Sequence, residues 1–249
     1  MSEARAQNPL LVWAQALRVY QWTKNLLLFA ALIFAKEFTH PDKVLIAVLA
    51  FAAFCLCASA TYVFNDLMDI EKDRKHPKKR HRPLASGTIR PATAAGVGVV
   101  LGAAGLLLGG FIGLRVLGAL VFYVALTMSY SIWLKHFVLV DVLALALGFV
   151  VRAMAGAIAI AVQFSNWLIV CTFFLATFLT LCKRRNELTL LEEDAESHRR
   201  VLFHYSVHYL DQLILIAAGG ALITYTIYTC SPEVIQRLGT DKLYMTLPF

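Results

Sequence analysis

Seven stretches of this chain run almost free of ionisable side chains, and their lengths restrict the folds open to it. Residues 44–64, 92–114 and 116–134 contain no Asp, Glu, Lys or Arg. Residues 26–35 form a shorter run that extends back through 20–25. The run 142–151 continues as 153–161 after a single Arg152, and 166–182 and 213–230 complete the set. A helix needs about 20 apolar residues to cross a hydrocarbon core about 30 Å thick. The runs therefore predict an all-α fold, a polytopic transmembrane helical bundle of about seven helices. An outer-membrane barrel would show short alternating segments instead. The composition agrees: 59% of residues are hydrophobic and 16% charged, against about 25% charged in soluble domains. A disordered chain, a disulfide scaffold and an ordinary soluble domain are excluded. Residues 10–17 are too short to span and read as an amphipathic lead-in at the interface.

Charge placement predicts orientation. With the N-terminus inside, seventeen Lys and Arg fall on the cytoplasmic side and five on the other, with Arg152 inside a span. Such an excess is the positive-inside signal. The membrane is expected to be the bacterial cytoplasmic membrane, with the polar chemistry facing the cytoplasm. No signal peptide is expected, because residues 1–8 are polar. The five cysteines, none in a CxxC pair, read as small membrane-core residues. Glycines at 98, 102, 105, 109 and 113 have the small-xxx-small spacing of packed membrane helices. One domain, 1–249, is expected. Residues 243–249 resemble the start of another apolar segment, so one or two further helices are expected beyond them.

The segment 65–84 carries the chemistry. Asp66, Asp69 and Asp73 are spaced three and four apart, which on one helix would stack three carboxylates on a face. Like charges so placed destabilise a bare helix and become favourable when a divalent cation bridges them. Mg²⁺ takes one or two carboxylates plus substrate phosphate oxygens, and Asn65 adds a neutral contact or fixes a carboxylate rotamer. The competing reading is a solvated helix end whose acids pair with Lys72, Arg74 and Lys75. The acids continue directly from an apolar span, where ionisable groups are usually functional. Lys78, Lys79, Arg80 and Arg82 follow at once, between Pro77 and Pro83. They suit phosphate oxygens or, in the competing reading, anionic headgroups. His76 and His81 sit among cations and make poor bases. His204 and His208, four apart, give only a weak zinc signal, and with His198 they share no metal-ligand pattern with nearby Cys.

At these residues the sequence resembles the UbiA superfamily of intramembrane prenyltransferases, through the motif NDxxDxxxD formed by Asn65, Asp66, Asp69 and Asp73. Within it, the chain is more similar to the decaprenyl-phosphate phosphoribosyltransferases. Four segments carry that similarity: 18–25 (RVYQWTKN), 65–87 (NDLMDIEKDRKHPKKRHRPLASG), 130–156 (YSIWLKHFVLVDVLALALGFVVRAMAG) and 182–188 (CKRRNEL). The resemblance implies nine helices in the family, against seven counted here. It also implies Mg²⁺ on Asp66, Asp69 and Asp73. Most members carry a second Asp-rich motif after helix six, where this chain reads Lys183, Arg184, Arg185, Asn186 and Glu187. Glu192, Glu193 and Asp194 follow. A cationic triplet in place of acids fits one metal-bound diphosphate and a second, anionic phosphate.

The expected function is transfer of 5-phosphoribosyl from phosphoribosyl pyrophosphate to a polyprenyl phosphate, decaprenyl by the resemblance, for lipid-linked pentose synthesis. Candidate substrate contacts are Lys24, Asn65, Lys78, Lys79, Arg80, Arg82 and the triplet Lys183, Arg184 and Arg185 with Glu187. Tyr130 and Lys135 join them or are an interfacial Tyr and a snorkelling Lys. Asp141 is a partner or second metal contact. Arg152 pairs with Asp141, Glu187 or a bound phosphate. The alternatives are prenylation of an aromatic acceptor from a prenyl diphosphate and, further off, a seven-helix transporter or receptor. Nucleic acid is not an expected partner.

Overall fold

The structure is a computed structural model that describes residues 8–163, 165–189 and 206–246, and no β-strand occurs among them. Six helices are long and apolar enough to cross a membrane. They are α3 (Pro41–Met68), α5 (Pro91–Ile112), α6 (Leu114–Ile132), α7 (Val140–Ala159), α8 (Asn166–Thr189) and α9 (Val207–Cys230). Short helices α1 (Pro9–Ala16), α2 (Ala30–Phe34), α4 (Ile70–Lys75) and α10 (Pro232–Leu238) lie at their ends. Asn8 and Ser206 cap α1 and α9 through side-chain oxygens, on Leu10 N and Tyr209 N.

The first apolar segment differs from the expected full span. Val19–Phe29 is a 3₁₀ helix of 11 residues that runs into the five-residue α2. The 3₁₀ rise of about 2.0 Å per residue, with about 1.5 Å in α2, carries these residues through roughly 30 Å. The segment thus reaches a core thickness with fewer residues than an α-helix requires. Gly156 on α7 permits its docking, since a Cβ there would strike the Leu28 backbone.

Burial sorts the helices. In α3 and α7, 50% and 61% of the apolar window is buried, against 11% in α5 and 17% in α6. Small residues on α3 make its centre a packing surface: Ala50, Ala53, Cys57 and Ala58 are buried with Leu28, Val151 and Ala155. Gly105 lets α5 approach α3, where a Cβ would stand 2.6 Å from Cys57 Sγ. The outer faces of α5 and α6, with Val99, Leu107, Phe111 and Leu114, are exposed, as lipid-facing surfaces are. The segment 10–17 is not purely interfacial. Val12 and Ala16 of α1 are buried against Val63, Leu84, Ile89 and Ala94 at the end of α3 that carries the acids. All five cysteines are free.

Candidate functional site

The last turn of α3 presents Asn65 and Asp66, and the chain turns at Asp69 (φ −100°, ψ 10°) before α4 brings in Asp73. The expected single helical face is therefore interrupted at Asp69. Three carboxylates on one continuous face would repel one another, and each instead lies against a cation, with Asp66 and Asp73 sharing Arg82. Asp66 is buried and accepts from Arg18 Nη2 and from Arg82 Nη1, the latter at 3.2 Å. The same Arg82 nitrogen donates to Asp73 at 2.6 Å. Asp69 faces Lys135 Nζ at 3.4 Å and Lys72 Nζ at 3.5 Å.

These groups edge a cavity of about 780 Å³. Asn65, Asp69, Asp73, Lys79 and Arg82 line one part of it. Tyr130 and Lys135 from the end of α6, Lys24, Arg152 from α7, and Lys183, Arg184 and Glu187 from α8 line the rest. Residues 24 to 187 thus converge on one volume because α3, α6, α7 and α8 pack side by side.

Five expected residues do not line it. Asp66 lies behind the wall, held by its two arginines. Lys78 and Arg80 are exposed beyond the rim, where Arg80 Nε donates to His81. Asp141 is buried in the first turn of α7, a favourable place for a carboxylate on the helix dipole, and accepts from Arg184 Nε at 3.0 Å. Arg184 also donates to Glu187 at 2.6 Å and to the Tyr130 hydroxyl at 3.5 Å. Arg185 points elsewhere and pairs with Asp211 of α9. The expected pairing of Arg152 with Asp141 or Glu187 does not form, because Arg184 holds both. Arg152 is buried and bonded instead to neutral acceptors: Asn25 Oδ1 (2.8 Å), Gly148 O (2.9 Å) and Tyr123 Oη (2.9 Å). Arg5, Glu192, Glu193, Asp194, His198, Arg199, Arg200 and His204 lie outside the described residues.

Arg18, Gln21, Tyr62 and Tyr123 also line the cavity, and sequence reading did not single them out. Arg18 stands in the left-handed region at φ 51°, its guanidinium 4.8 Å from the centre of the Tyr62 ring. Strained backbone of this kind collects at functional sites. The available signal was its place in RVYQWTKN. For Tyr123 it was a phenol inside a charge-free run, since a buried hydroxyl needs a partner.

Among the described residues no three Asp, Glu, His or Cys side chains form a metal-binding group. The acids still fit Mg²⁺ in its usual manner, with Asp69 and Asp73 on the cavity wall and the remaining ligands left to phosphate and water. The Arg82 guanidinium bridges Asp66 and Asp73, so oxygens of both carboxylates stand close enough to share one positive charge.

Fold and site together define a multi-pass integral membrane protein with a charged cavity opening at the motif-bearing end of its helices. The chain belongs to the UbiA prenyltransferase family, whose profile matches residues 26–234. It is a UbiA-family transferase, which replaces the transporter or receptor reading. It is 32% identical over 230 residues to a decaprenyl-phosphate phosphoribosyltransferase of Mycolicibacterium smegmatis, covering 91% of this chain and 72% of that protein. The namesake of Corynebacterium glutamicum is 34% identical over 218 residues, covering 86% of this chain and 66% of that protein. The chain thus spans two-thirds to three-quarters of these curated relatives. Nodulation protein NoeC of Azorhizobium caulinodans is 33% identical over 227 residues, 90% of this chain and 73% of that one. In structure, a UbiA homolog from Archaeoglobus fulgidus bound to GPP and Mg²⁺ superposes with a TM-score of 0.76 at 20% identity, covering 94% of this chain and 83% of that one. That likeness shows the fold.

Proposed function

We propose that this chain transfers the 5-phosphoribosyl group from phosphoribosyl pyrophosphate to a polyprenyl phosphate, decaprenyl phosphate in the first instance, releasing pyrophosphate. The carrying observation is the 32–34% identity to decaprenyl-phosphate phosphoribosyltransferases over most of the chain. The cavity supports it, because a charged volume with both signs of side chain suits two phosphorylated substrates better than one prenyl diphosphate and an aromatic ring.

Asp69 and Asp73, with Asn65 beside them, would hold Mg²⁺ on the donor's pyrophosphate. When bound, the ion neutralises charge that gathers on the departing group. Arg82 exchanges Asp73 for a phosphate oxygen, and Lys135 and Lys79 stand on the same wall for the rest. The C1–O bond to pyrophosphate breaks and a C1–O bond to the lipid phosphate forms on the opposite face. The attacking phosphate monoester has a second pKa of about 6 and is already anionic at neutral pH. No side chain has to remove a proton, and the described wall offers charge pairs. Arg184 positions: its bonds to Asp141, Glu187 and Tyr130 lock α7, α8 and α6 around the mouth. The excess of basic residues at this end supports a mouth that faces the cytoplasm from a bacterial cytoplasmic membrane.

The test supplies labelled phosphoribosyl pyrophosphate and decaprenyl phosphate to membranes containing the chain. A labelled lipid that forms with Mg²⁺ and not with EDTA is expected. No such lipid, with prenylation of an aromatic acceptor from a prenyl diphosphate in its place, would overturn the proposal.

A further inference from the structure

Eight of the Lys and Arg side chains around the cavity fall into two groups by partner. Arg18, Arg82, Lys72, Lys135 and Arg184 each face a carboxylate within 4.0 Å. Lys24, Arg152 and Lys183 line the same cavity, and none of the three has a carboxylate partner among the described residues. The charged neighbours of Lys24 are themselves cations: Arg152, Lys183 and Arg18. Only Arg18 in that set is neutralised, by Asp66.

Arg152 makes the arrangement costly. It lies twelve residues into α7 from Val140, about 18 Å along the axis at the α-helical rise. Its three neutral acceptors fix the guanidinium and leave its charge uncancelled. They use three of its five N–H groups. Tyr123 and Phe149 lie over it, with ring centres 4.8 and 5.3 Å away. A buried arginine at membrane depth without a counter-charge is expensive. Asn25, itself buried and anchored on Cys55 Sγ at 3.2 Å, holds the Arg152 Nε–H in place. Leu145, Gly148 and Phe149, the α7 residues one to two turns before Arg152, line the cavity too. The cations thus stand beside an apolar wall.

We infer that Lys24, Arg152 and Lys183 form a subsite for a phosphate monoester, separate from the acidic pole at Asp69 and Asp73. This deepens the proposed reaction and rests on it for the identity of the substrate. A monoester carries about −1.5 to −2 at neutral pH, which offsets most of the charge of three cations. The apolar wall assigns the monoester to the lipid acceptor, whose chain continues along it. The 5-phosphate of the ribosyl donor has the same headgroup chemistry without the chain.

Binding to the purified full chain in EDTA distinguishes these sources, with a short polyprenyl monophosphate, its parent polyprenol and ribose 5-phosphate as probes. The polyprenyl phosphate is expected to bind and the polyprenol to bind far more weakly. Lys24→Gln and Lys183→Gln each weaken polyprenyl phosphate binding by about tenfold, the scale of one lost charge-assisted hydrogen bond. Both leave Mg²⁺-dependent binding of pyrophosphate unchanged. The two lysines are exposed, so these variants fold even where a change at the buried Arg152 does not. Lysine-dependent binding of ribose 5-phosphate in place of the lipid keeps the subsite and assigns it to the donor. Unchanged lipid phosphate binding in the Lys24→Gln, Lys183→Gln double variant overturns the subsite. So does an equal loss of Mg²⁺–pyrophosphate binding, which would mean one common pole. Cluster-dependent binding without phosphoribosyl transfer would refute the reaction and leave the subsite standing.

Discussion

Asp66 and Asp73 share one nitrogen of Arg82, yet they do different work. Asp66 is the interior end of the network, between Arg18 and Arg82, and does not reach the cavity. Removing one partner of a buried pair leaves the other charges uncompensated, a loss of about 3 kcal/mol or more. Asp66→Asn is therefore expected to lower the melting temperature in detergent markedly, and a wild-type value would contradict the structural role. Asp73 lines the cavity, and Asp66 still holds Arg82 when Asp73 is gone. Asp73→Asn should keep the melting temperature and lose turnover by about a hundredfold, the range for removing one electrostatic stabiliser. Turnover within a few-fold of wild type would remove Asp73 from the chemistry. The acids were legible in the sequence because their spacing is local. Their partners were not: Arg18 is 48 residues from Asp66, and Asp141 is 43 from Arg184. Each choice among several nearby cations was made by helix packing.

The first apolar segment and α7 form the element pair on which the cavity depends. Leu28 packs directly on Gly156, and Asn25 reaches across to Arg152. Trp22 Nε1 and the Leu17 carbonyl both meet Ser59 Oγ, which ties the same segment to α3. Gly156→Val would drive a side chain into the Leu28 backbone, with an overpacking cost of about 1–3 kcal/mol. It would also displace Asn25 and Lys24. The expected result is a lowered melting temperature together with weakened polyprenyl phosphate binding. A stable variant with wild-type binding would show that the segment can shift without consequence. Sequence reading placed a helix here from its apolar residues. It missed the 3₁₀ winding, because apolar content reports burial and not rise per residue. The wound segment docks through a contact between residues 28 and 156, which are 128 positions apart in the chain.

At the scale of the molecule, the long helices were legible because a membrane rewards unbroken apolar length, and all six correspond to charge-free runs. Convergence of α3, α6, α7 and α8 on one cavity depends on three-dimensional packing that no run of residues displays. Topology gives a further check. The loop holding Lys79 and the turn after α9 lie at opposite ends of five crossings, α5 to α9, an odd number. A reporter inserted after Thr240 should be accessible from the side opposite to one inserted at His81, and the same side for both would contradict that count. The central claim is that Asp69 and Asp73 hold the diphosphate through a divalent cation. Calorimetric titration of the purified chain with phosphoribosyl pyrophosphate tests it most directly. Binding with Mg²⁺, its loss in EDTA, and its absence in the Asp69→Asn, Asp73→Asn double variant are predicted. Binding that is the same with and without the metal, or unchanged in the double variant, would contradict the account.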